Sequence, residues 1–330
     1  MDPLSQACLG ASLSQSSTGD RSKQLSALII GGLSGMVPDL DVFIRSAEDP
    51  LLFLEYHRQF THSLFFVPFG ALICTFLFYL FMKKNLSFKQ IYLFSFLGFA
   101  THGLLDACTS YGTQLYWPFS SLRVAWNTVS IIDPLFTLPV LLLILLAVIK
   151  KEALYARLSL LYVVLFMSFG LLQKQRAEEV INELAQSRGH QIEKVLAKPS
   201  FANRHVWKLM YEHDGRFYVD AVKLLWRAQV IQGSSVQKLD IERDFPWLSS
   251  DSQQAKDIER FRWFSNDFLA LSESDENFII DARYSFLPNR IESMWGIILN
   301  DKNGNTKHVD YKMNSRPDKG TVEQFLEMLF

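Results

Sequence analysis

An uncharged apolar run from Ser63 to Phe81 constrains the fold of this chain more than any other feature. About 20 helical residues cross the roughly 30 Å hydrocarbon core of a bilayer, so this run predicts a membrane segment. Comparable runs, each with one polar interruption, extend over Ile91–Leu105, Ile131–Ile149 and Leu154–Leu172. Buried core helices of a soluble protein are the alternative, but four such stretches within residues 63–172 favour a helical membrane bundle.

A fifth and weaker segment, Leu25–Val42, precedes these runs. Its uncharged part is shorter, and Gly31 and Gly35 form a pair of small residues that lets another helix approach closely. The sequence therefore predicts an α-helical bundle of about five membrane segments, the first of which is packed against its neighbours or only partly inserted. The first 24 residues are polar and lack the apolar core of a signal peptide, so we expect the N-terminus to be retained.

The part of the chain after residue 173 has a different composition, because charged residues crowd it. Beyond a membrane domain of residues 1–174, we expect a helical connector over 175–200 and a soluble α+β domain over 201–330. The net charge is only -1 and no long Lys/Arg run occurs, which excludes an electrostatic basis for nucleic-acid binding. Cys8, Cys74 and Cys108 lie far apart and predict neither a disulfide framework nor a CxxC site.

The predicted soluble domain shows the patterns of an antiparallel sheet with helices. The segment HVWKLMYEHDGRFYVDAVKLLW, residues 205–226, contains two strand-like runs around His-Asp-Gly. Residues 277–313 predict further strands with a turn at Asn303-Gly304. The charged and aromatic segment Ser249–Leu271 predicts a helix.

Basic residues in the short connections predict the orientation of the segments, because Lys and Arg are retained on the cytoplasmic side. They concentrate before residue 25, around residues 83–89 and around residues 150–157, and we expect these regions to be cytoplasmic. The connections 43–62 and 107–130 are then extracytoplasmic. Five crossings place the C-terminal domain outside the cytoplasm, although Lys174 and Arg176 favour the opposite side.

Six acidic and histidine residues lie near the ends of segments that face outward on this topology. They are Asp39, Asp41, His57, His62, His102 and Asp106. Polar groups at membrane depth are energetically costly and are therefore functional candidates. His102 and Asp106 are four residues apart and leave the same face of a helix, and the two carboxylates of Pro-Asp-Leu-Asp can point the same way in a turn. This combination predicts a divalent-metal site.

The ligand types suit Zn²⁺ best, with Mn²⁺ or Fe²⁺ as alternatives, because they combine imidazole nitrogen with carboxylate oxygen. Each element also has a simpler interpretation. The two aspartates are compatible with a solvated turn, His57 and Arg58 with contacts to lipid headgroups, and a single intramembrane histidine with packing. The combination of six ligand-type residues at one depth favours the metal site.

Short motifs in the first 150 residues carry a resemblance to a known family. In chain order they are MDPLSQACLGASL, GMVPDLD, HRQFTHSL, THGLLDACTSYG, WPFS and IIDPLFTLP. This pattern resembles the LexA-regulated, inner-membrane, metal-dependent hydrolase family (YdjM-like), of which HRxxTHS and THxxxD are the most specific parts. The resemblance implies a bacterial inner-membrane location and a divalent metal held by the six residues named above. The usual opening of the family is similar to MDPxTH, so Gln6, beside Ser5, stands where a histidine is usual.

The resemblance implies hydrolysis of an ester or phosphodiester by a metal-activated water. We expect Asp39 or Asp106 to act as the base and Arg58 to bind a phosphate or a developing oxyanion. Thr61 and Asp133 are candidates to orient ligating histidines, although Asp133 can instead cap a helix. A site at the outer interface favours a lipid-linked or amphiphilic substrate, with membrane lipids as partners.

Two other classes of protein remain open. The Asp39-Leu-Asp41 sequence also resembles the metal-binding loop of membrane glycosyltransferases, although these enzymes do not need three clustered histidines. A non-enzymatic divalent-metal transporter would also place His and Asp between helices, but nearer to the centre of the bilayer.

Overall fold

The computed structural model describes residues 1–300, 306–314 and 317–330. The chain forms two compact units. The helical unit comprises Met1–Phe43, Tyr56–Leu172 and Phe201–Asn203. The C-terminal unit comprises Ile44–Glu55, Gln173–Ser200 and Arg204–Phe330.

Seven helices precede the first strand. They are α1 (Pro3–Ser16), α2 (Gln24–Met36), α3 (Leu52–Tyr56), α4 (Val67–Met82), α5 (Phe88–Ala107), α6 (Pro134–Lys150) and α7 (Ala153–Ser187). Short 3₁₀ helices lie at Arg21–Lys23, Val37–Phe43 and Phe60–His62. Two of the longer helices begin at typical N-capping residues. Ser87 and Gln90 form a capping box at α5, and Asp133 caps α6 ahead of Pro134.

The polar helix α1 is buried inside the helical unit. Its side chains reach backbone carbonyl groups of other helices, because buried polar groups need hydrogen-bond partners. Ser14 Oγ donates to the carbonyl of Phe94 at 2.9 Å, and Gln15 Nε2 donates to the carbonyl of Ile144 at 3.2 Å. A helix without an apolar face therefore lies among α2, α5 and α6.

Glycines bring the backbones of α1, α2 and α5 into direct contact. A Cβ atom at Gly98 would lie 2.2 Å from the carbonyl oxygen of Gly31, and one at Gly35 would lie 2.9 Å from the carbonyl oxygen of Gln6. The close helix approach predicted for Gly31 and Gly35 is confirmed. This contact holds α1 against the parts of α2 and α5 that lead into the polar cluster.

The prediction of five membrane segments is not supported. Among the described residues, two helical stretches, Arg21–Phe43 and Ala153–Ser187, are long and apolar enough to cross a membrane. A third is added if Leu52–His62 and Val67–Met82, bent by 82° at the break between them, count as one span. The other two predicted segments do not meet the same length and composition: α6 has 17 residues and is about 26 Å long, and the 20 residues of α5 include Lys89, His102 and Asp106.

The C-terminal unit contains two antiparallel sheets, as its patterns predicted in outline. The first has the order β1 (Lys194–Pro199), β2 (Val206–His213), β3 (Arg216–Leu224) and β4 (Ala228–Gln237). The helices α8 (Ile241–Asp244) and α9 (Gln253–Phe264) follow. The second sheet has the order β5 (Leu269–Ser272), β6 (Asp275–Asp281), β7 (Trp295–Ile298) and β8 (Asp310–Met313), before α10 (Lys319–Leu329).

Three local predictions for this unit have different outcomes. The two strands predicted around His-Asp-Gly are β2 and β3, paired with His213 opposite Arg216. The helix predicted over Ser249–Leu271 is correct only for its middle part, α9, because the chain enters β5 at Leu269. The predicted Asn303-Gly304 turn lies outside the described residues.

The part of α7 that follows Gln173 packs on the first sheet. Ala177, Val180 and Ile181 share a core cluster with Trp207 and Leu224 of that sheet. Within the predicted connector 175–200, the helix ends at Ser187, just before Gly189 with a positive φ of 72°, and the chain then enters β1. The connector is therefore partly helix and partly strand.

Candidate metal centre

Three segments of the helical unit carry the polar cluster. The helix α5 presents His102 and Asp106 from one buried face, since residues four apart align on a helix. The 3₁₀ helix Val37–Phe43 carries Asp39 and Asp41. The short 3₁₀ helix Phe60–His62 brings His62 to the same point.

Four ligand-type side chains converge: the atoms they offer, from Asp39, His62, His102 and Asp106, lie within 4.8 Å of one another. His62 Nε2 is 2.9 Å from His102 Nε2, 3.5 Å from Asp39 Oδ1 and 3.2 Å from Asp106 Oδ2. His102 Nε2 is 3.4 Å from Asp39 Oδ1 and 3.8 Å from Asp106 Oδ2. Ligand atoms about 2.0–2.1 Å from a tetrahedral Zn²⁺ are separated from each other by roughly 3.3 Å. The five separations bracket that value, so the arrangement fits one ion at its centre.

Hydrogen bonds to the second ring nitrogen orient both imidazoles. His102 Nδ1 lies 2.6 Å from the carbonyl oxygen of Gly35, which can only accept a hydrogen bond. His62 Nδ1 lies 3.2 Å from Asp41 Oδ2 and 3.0 Å from the hydroxyl of Thr61. A proton held at Nδ1 leaves Nε2 of each ring as the free electron-pair donor, the usual arrangement of metal-bound histidines. Thr61, which was predicted to orient a histidine of the site, contacts His62.

A second group shares Asp39 with the first and adds Asp41 and His57. Asp41 Oδ1 is 2.7 Å from His57 Nδ1, and Asp41 Oδ2 accepts hydrogen bonds from the backbone nitrogen of Arg58 and from Thr61. Both oxygens of Asp41 are therefore engaged with protein groups. The side chain of Asp39 is 26% exposed and that of His57 is 19% exposed, whereas those of His62, His102 and Asp106 are fully buried. The cluster thus opens at Asp39 and His57.

On the closed side, Asp106 receives several positively charged or hydrogen-bonding groups. Its Oδ2 atom is 2.9 Å from Arg58 Nε, and its Oδ1 atom accepts from Gln6 Nε2 at 2.9 Å and contacts the amino group of Met1. Arg58 also donates to Thr109 Oγ1 at 3.0 Å. Arg58 has a φ of 67°, a left-handed conformation that is unfavourable for a non-glycine residue.

The charge of the cluster also fits a cation. It contains three carboxylates, Asp39, Asp41 and Asp106, and metal ligation requires neutral imidazoles. With neutral imidazoles, the three carboxylates outnumber the guanidinium of Arg58, and a divalent cation would offset the remaining negative charge. A buried excess of negative charge is unfavourable without a counter-ion. The donor set of two nitrogens and two oxygens suits Zn²⁺.

Gln6 points into the cluster from α1. Its side chain is fully buried, and its Oε1 atom has no hydrogen-bond partner. An unsatisfied buried oxygen is uncommon and is often explained by an ion or a water molecule. Gln6 therefore lies at the candidate metal centre.

The structure brings all six predicted ligands into one cluster, but the six residues do not share the same partners. Asp39, His62, His102 and Asp106 form the inner group, while Asp41 supports His62 and contacts His57. Asp133 lies elsewhere, where its side chain caps α6 through the backbone nitrogen of Leu135. Sequence reasoning missed the backbone carbonyl of Gly35 and the contact of Arg58 with Asp106.

A helical unit with apolar spans and a buried His/Asp cluster defines a membrane protein with a candidate metal centre. A family model described as the YdjM inner membrane protein matches residues 1–177, more than half of the chain. The chain belongs to this family of inner membrane proteins, which confirms the resemblance predicted from the motifs.

A curated relative extends the comparison. The chain is similar to the uncharacterized protein YfhP of Bacillus subtilis (strain 168), with 27% identity over 196 residues. The alignment covers 58% of this chain and 58% of that protein, so the chain spans less than two thirds of the relative's length. No solved structure matches the chain.

Proposed function

We propose that this chain is a membrane-bound, metal-dependent hydrolase. The observation that carries the proposal is the convergence of His62 Nε2, His102 Nε2 and two carboxylate oxygens at tetrahedral spacing. Zn²⁺ is the first choice of ion, with Mn²⁺ or Fe²⁺ as alternatives. When bound, such an ion lowers the pKa of a coordinated water toward neutrality and so supplies the nucleophile.

Residues of the cluster have the other roles in the proposed reaction, which are orientation of the ligands, proton transfer and binding of the ion. Gly35 and Asp41 hold the two imidazoles in the orientation that ligation requires. Asp39, the more exposed carboxylate of the inner group, faces the open side and is the better placed base. In that role it would not ligate the ion, so His62, His102 and Asp106 would hold the ion and leave the fourth position to water. Asp106 is enclosed by Arg58 and Gln6, so its role is to bind the ion.

The proposed substrate is an ester or phosphodiester of an amphiphilic or lipid-linked molecule. The family is an inner membrane family, and the centre lies in the unit that contains the candidate spans. Arg58 remains our candidate for binding a phosphate or oxyanion. Its side chain is 3% exposed, and its Nε and Nη1 atoms contact Asp106 and Thr109. Binding a substrate oxygen would therefore require the guanidinium to turn toward the open side at Asp39 and His57.

With a cytoplasmic N-terminus, two spans would leave the C-terminal unit in the cytoplasm and three would place it outside. The proposed location is extracytoplasmic, which counts the bent pair Leu52–His62 and Val67–Met82 as one span. Thiol-reactive reagents that do not cross the membrane test this in intact cells. A cysteine in place of the exposed Asp214 is expected to react without lysis. Reaction only after lysis would place the unit in the cytoplasm.

Two other functions compete with hydrolysis. A metal-dependent membrane glycosyltransferase would use Asp39 and Asp41 as its principal ligands. In this structure Asp41 is engaged by His57, Thr61 and the backbone of Arg58, which favours hydrolysis over this alternative. A non-enzymatic metal-binding or transport protein would bind the same ion without turning over any substrate.

Metal content and hydrolysis, measured on the same preparations, test the proposal. We would measure bound metal by mass spectrometry on detergent-purified, full-length protein and on the His62→Ala, His102→Ala double variant. The His190→Ala, His213→Ala double variant is the matched control, since both histidines lie in the C-terminal unit. Stoichiometric metal in the wild type and control, lost in the site variant, is the expected result.

The same preparations are then assayed with chromogenic phosphodiesters, chromogenic esters and phospholipids. Hydrolysis that is lost in the site variant, is abolished by a chelator and is restored by the metal supports the hydrolase. Bound metal without any turnover favours the metal-binding protein. Absence of metal after supplementation would overturn the proposal.

A further inference from the structure

The connection between β3 and β4 leaves a large apolar side chain uncovered. Trp226 has a relative exposure of 101%, and its neighbour Leu225 has one of 46%. The connection is short, since β3 ends at Leu224 and β4 begins at Ala228. Tryptophan is usually largely buried in soluble domains, so a fully exposed tryptophan at a hairpin tip suggests an interaction surface.

Hydrogen bonds fix this tip to one level of α7. Gln173 Nε2 donates to the carbonyl of Leu224 at 3.1 Å, and Arg176 Nη2 donates to the carbonyl of Leu225 at 2.8 Å. Gln173 follows Leu171 and Leu172, which are 55% and 52% exposed and end the apolar part of the candidate span Ala153–Ser187. The tip therefore lies beside the point where α7 changes from apolar to polar.

The middle of β3, at Asp220, lies near the C-terminal end of α7. Arg188, near the end of the helix, donates to Asp220 Oδ2 at 2.7 Å and to the hydroxyl of Tyr211 at 3.1 Å. The nine residues of β3 extend over about 30 Å between the tip and the His213–Arg216 turn. The strand β3 therefore follows α7 from Gln173 and Arg176, at the Trp226 end, toward Arg188.

We propose that the β3–β4 tip inserts into the headgroup region of the membrane that α7 enters, with Trp226 as its interfacial anchor. Tryptophan is enriched at this level because its ring is apolar while its N–H can still reach water or headgroups. Lys174 and Arg176 follow the apolar part of α7, and Arg227 is next to Trp226 in the chain, so positive charge that complements lipid phosphates lies near this level. The inference rests on the span in α7 and is independent of the hydrolase activity.

Quenching by brominated lipids tests the position of the tip. The Trp226→Cys variant of the full-length protein is labelled with an environment-sensitive fluorophore and reconstituted into phospholipid nanodiscs. Because Trp226 packs against nothing, this substitution leaves the core intact. The Asp214→Cys variant, in the exposed turn between β2 and β3, is the matched control, and unmodified protein gives the background labelling of the native cysteines.

Lipids brominated near the ester end of their acyl chains are expected to quench the fluorophore at position 226. This fluorophore is also expected to emit at a shorter wavelength than the fluorophore at position 214. Equal emission and no quenching at either position would overturn the proposal. The proposal would also be overturned if the emission at position 226 shifted to shorter wavelength with increasing protein concentration but was not quenched by bromine. In that case a second copy of the chain would cover the tip. Quenching at both positions would also refute it, because the contact would not be specific to the tip.

Discussion

Replacing Gly103 by alanine is expected to weaken metal binding without removing a ligand. Gly103 follows His102 on α5, and a Cβ atom at this position would lie 2.1 Å from the backbone carbonyl oxygen of His62. Real Cβ atoms essentially never approach closer than 3.0 Å, so the two backbones must separate by about 0.9 Å. Rotation of a side chain cannot relieve the contact, because the obstructing atom belongs to the backbone.

The expected loss follows from the tolerance of metal coordination. Ligand distances in metal sites hold to within about 0.2 Å. A displacement several times larger, applied to His62, is expected to weaken binding by about 10–100-fold, the range typical for loss of support to a ligand. Asp39, His102 and Asp106 keep their positions, so some binding should remain.

A competition titration against a chromophoric chelator measures this affinity in detergent-solubilised protein. Gly19→Ala is the matched control, since a Cβ atom at Gly19 meets nothing within 4 Å. Circular dichroism and size-exclusion chromatography establish that both variants are folded. Wild-type affinity in a folded Gly103→Ala protein would refute the inferred role of His62 in the inner group.

Three further substitutions probe the cluster and the C-terminal unit. Asp41→Asn should weaken metal binding by about 10–100-fold, because His62 Nδ1 loses a charged acceptor. The control Asp20→Asn, at an exposed helix cap, should leave the affinity unchanged. Equal metal affinities of the Asp41→Asn and Asp20→Asn variants would contradict the role of Asp41. Gln6→His should strengthen Zn²⁺ binding about tenfold in the same titration, because imidazole is the better ligand, and weaker binding would show that Gln6 is only structural. Burial lowers the pKa of Lys198 to about 7 in the folded protein, so its ammonium form opposes folding below the ordinary lysine pKa and stability should rise as the pH increases from 7 to 10. Lys198→Met should raise the thermal unfolding temperature at pH 7 and have a smaller effect at pH 10; an equal effect at both would exclude the charge as the cause.

Side-chain spacing was sufficient to predict the core of the candidate site. His102 and Asp106 share a face because four residues make about one helical turn, a property of any helix. Asp39 and Asp41 are separated by one residue, and His62 lies next to a predicted span. These positions suggested the other members of the site. The functions of the individual members were not predictable, because both oxygens of Asp41 are engaged by partners brought together by tertiary structure.

Apolar composition was a poorer guide to the number of membrane spans. A protein-covered helix and a lipid-covered helix both require apolar residues, so the runs in α5 and α6 did not distinguish the two environments. Conversely, the polar sequence of α1 did not predict that this helix is buried. Its burial depends on the carbonyl groups of Phe94 and Ile144, and backbone groups leave no trace in residue types.

The burial of α1 has a consequence for the order in which the helical unit is assembled. Ser14 is bonded to a residue 80 positions later in the chain, and Gln15 to one 129 positions later. During synthesis α1 therefore emerges long before its partners exist, and its polar side chains must stay hydrated until α5 and α6 have been made. Gln6, on the same helix, reaches Asp106 only after that step. The complete polar cluster therefore forms late, once the rest of the helical unit is in place.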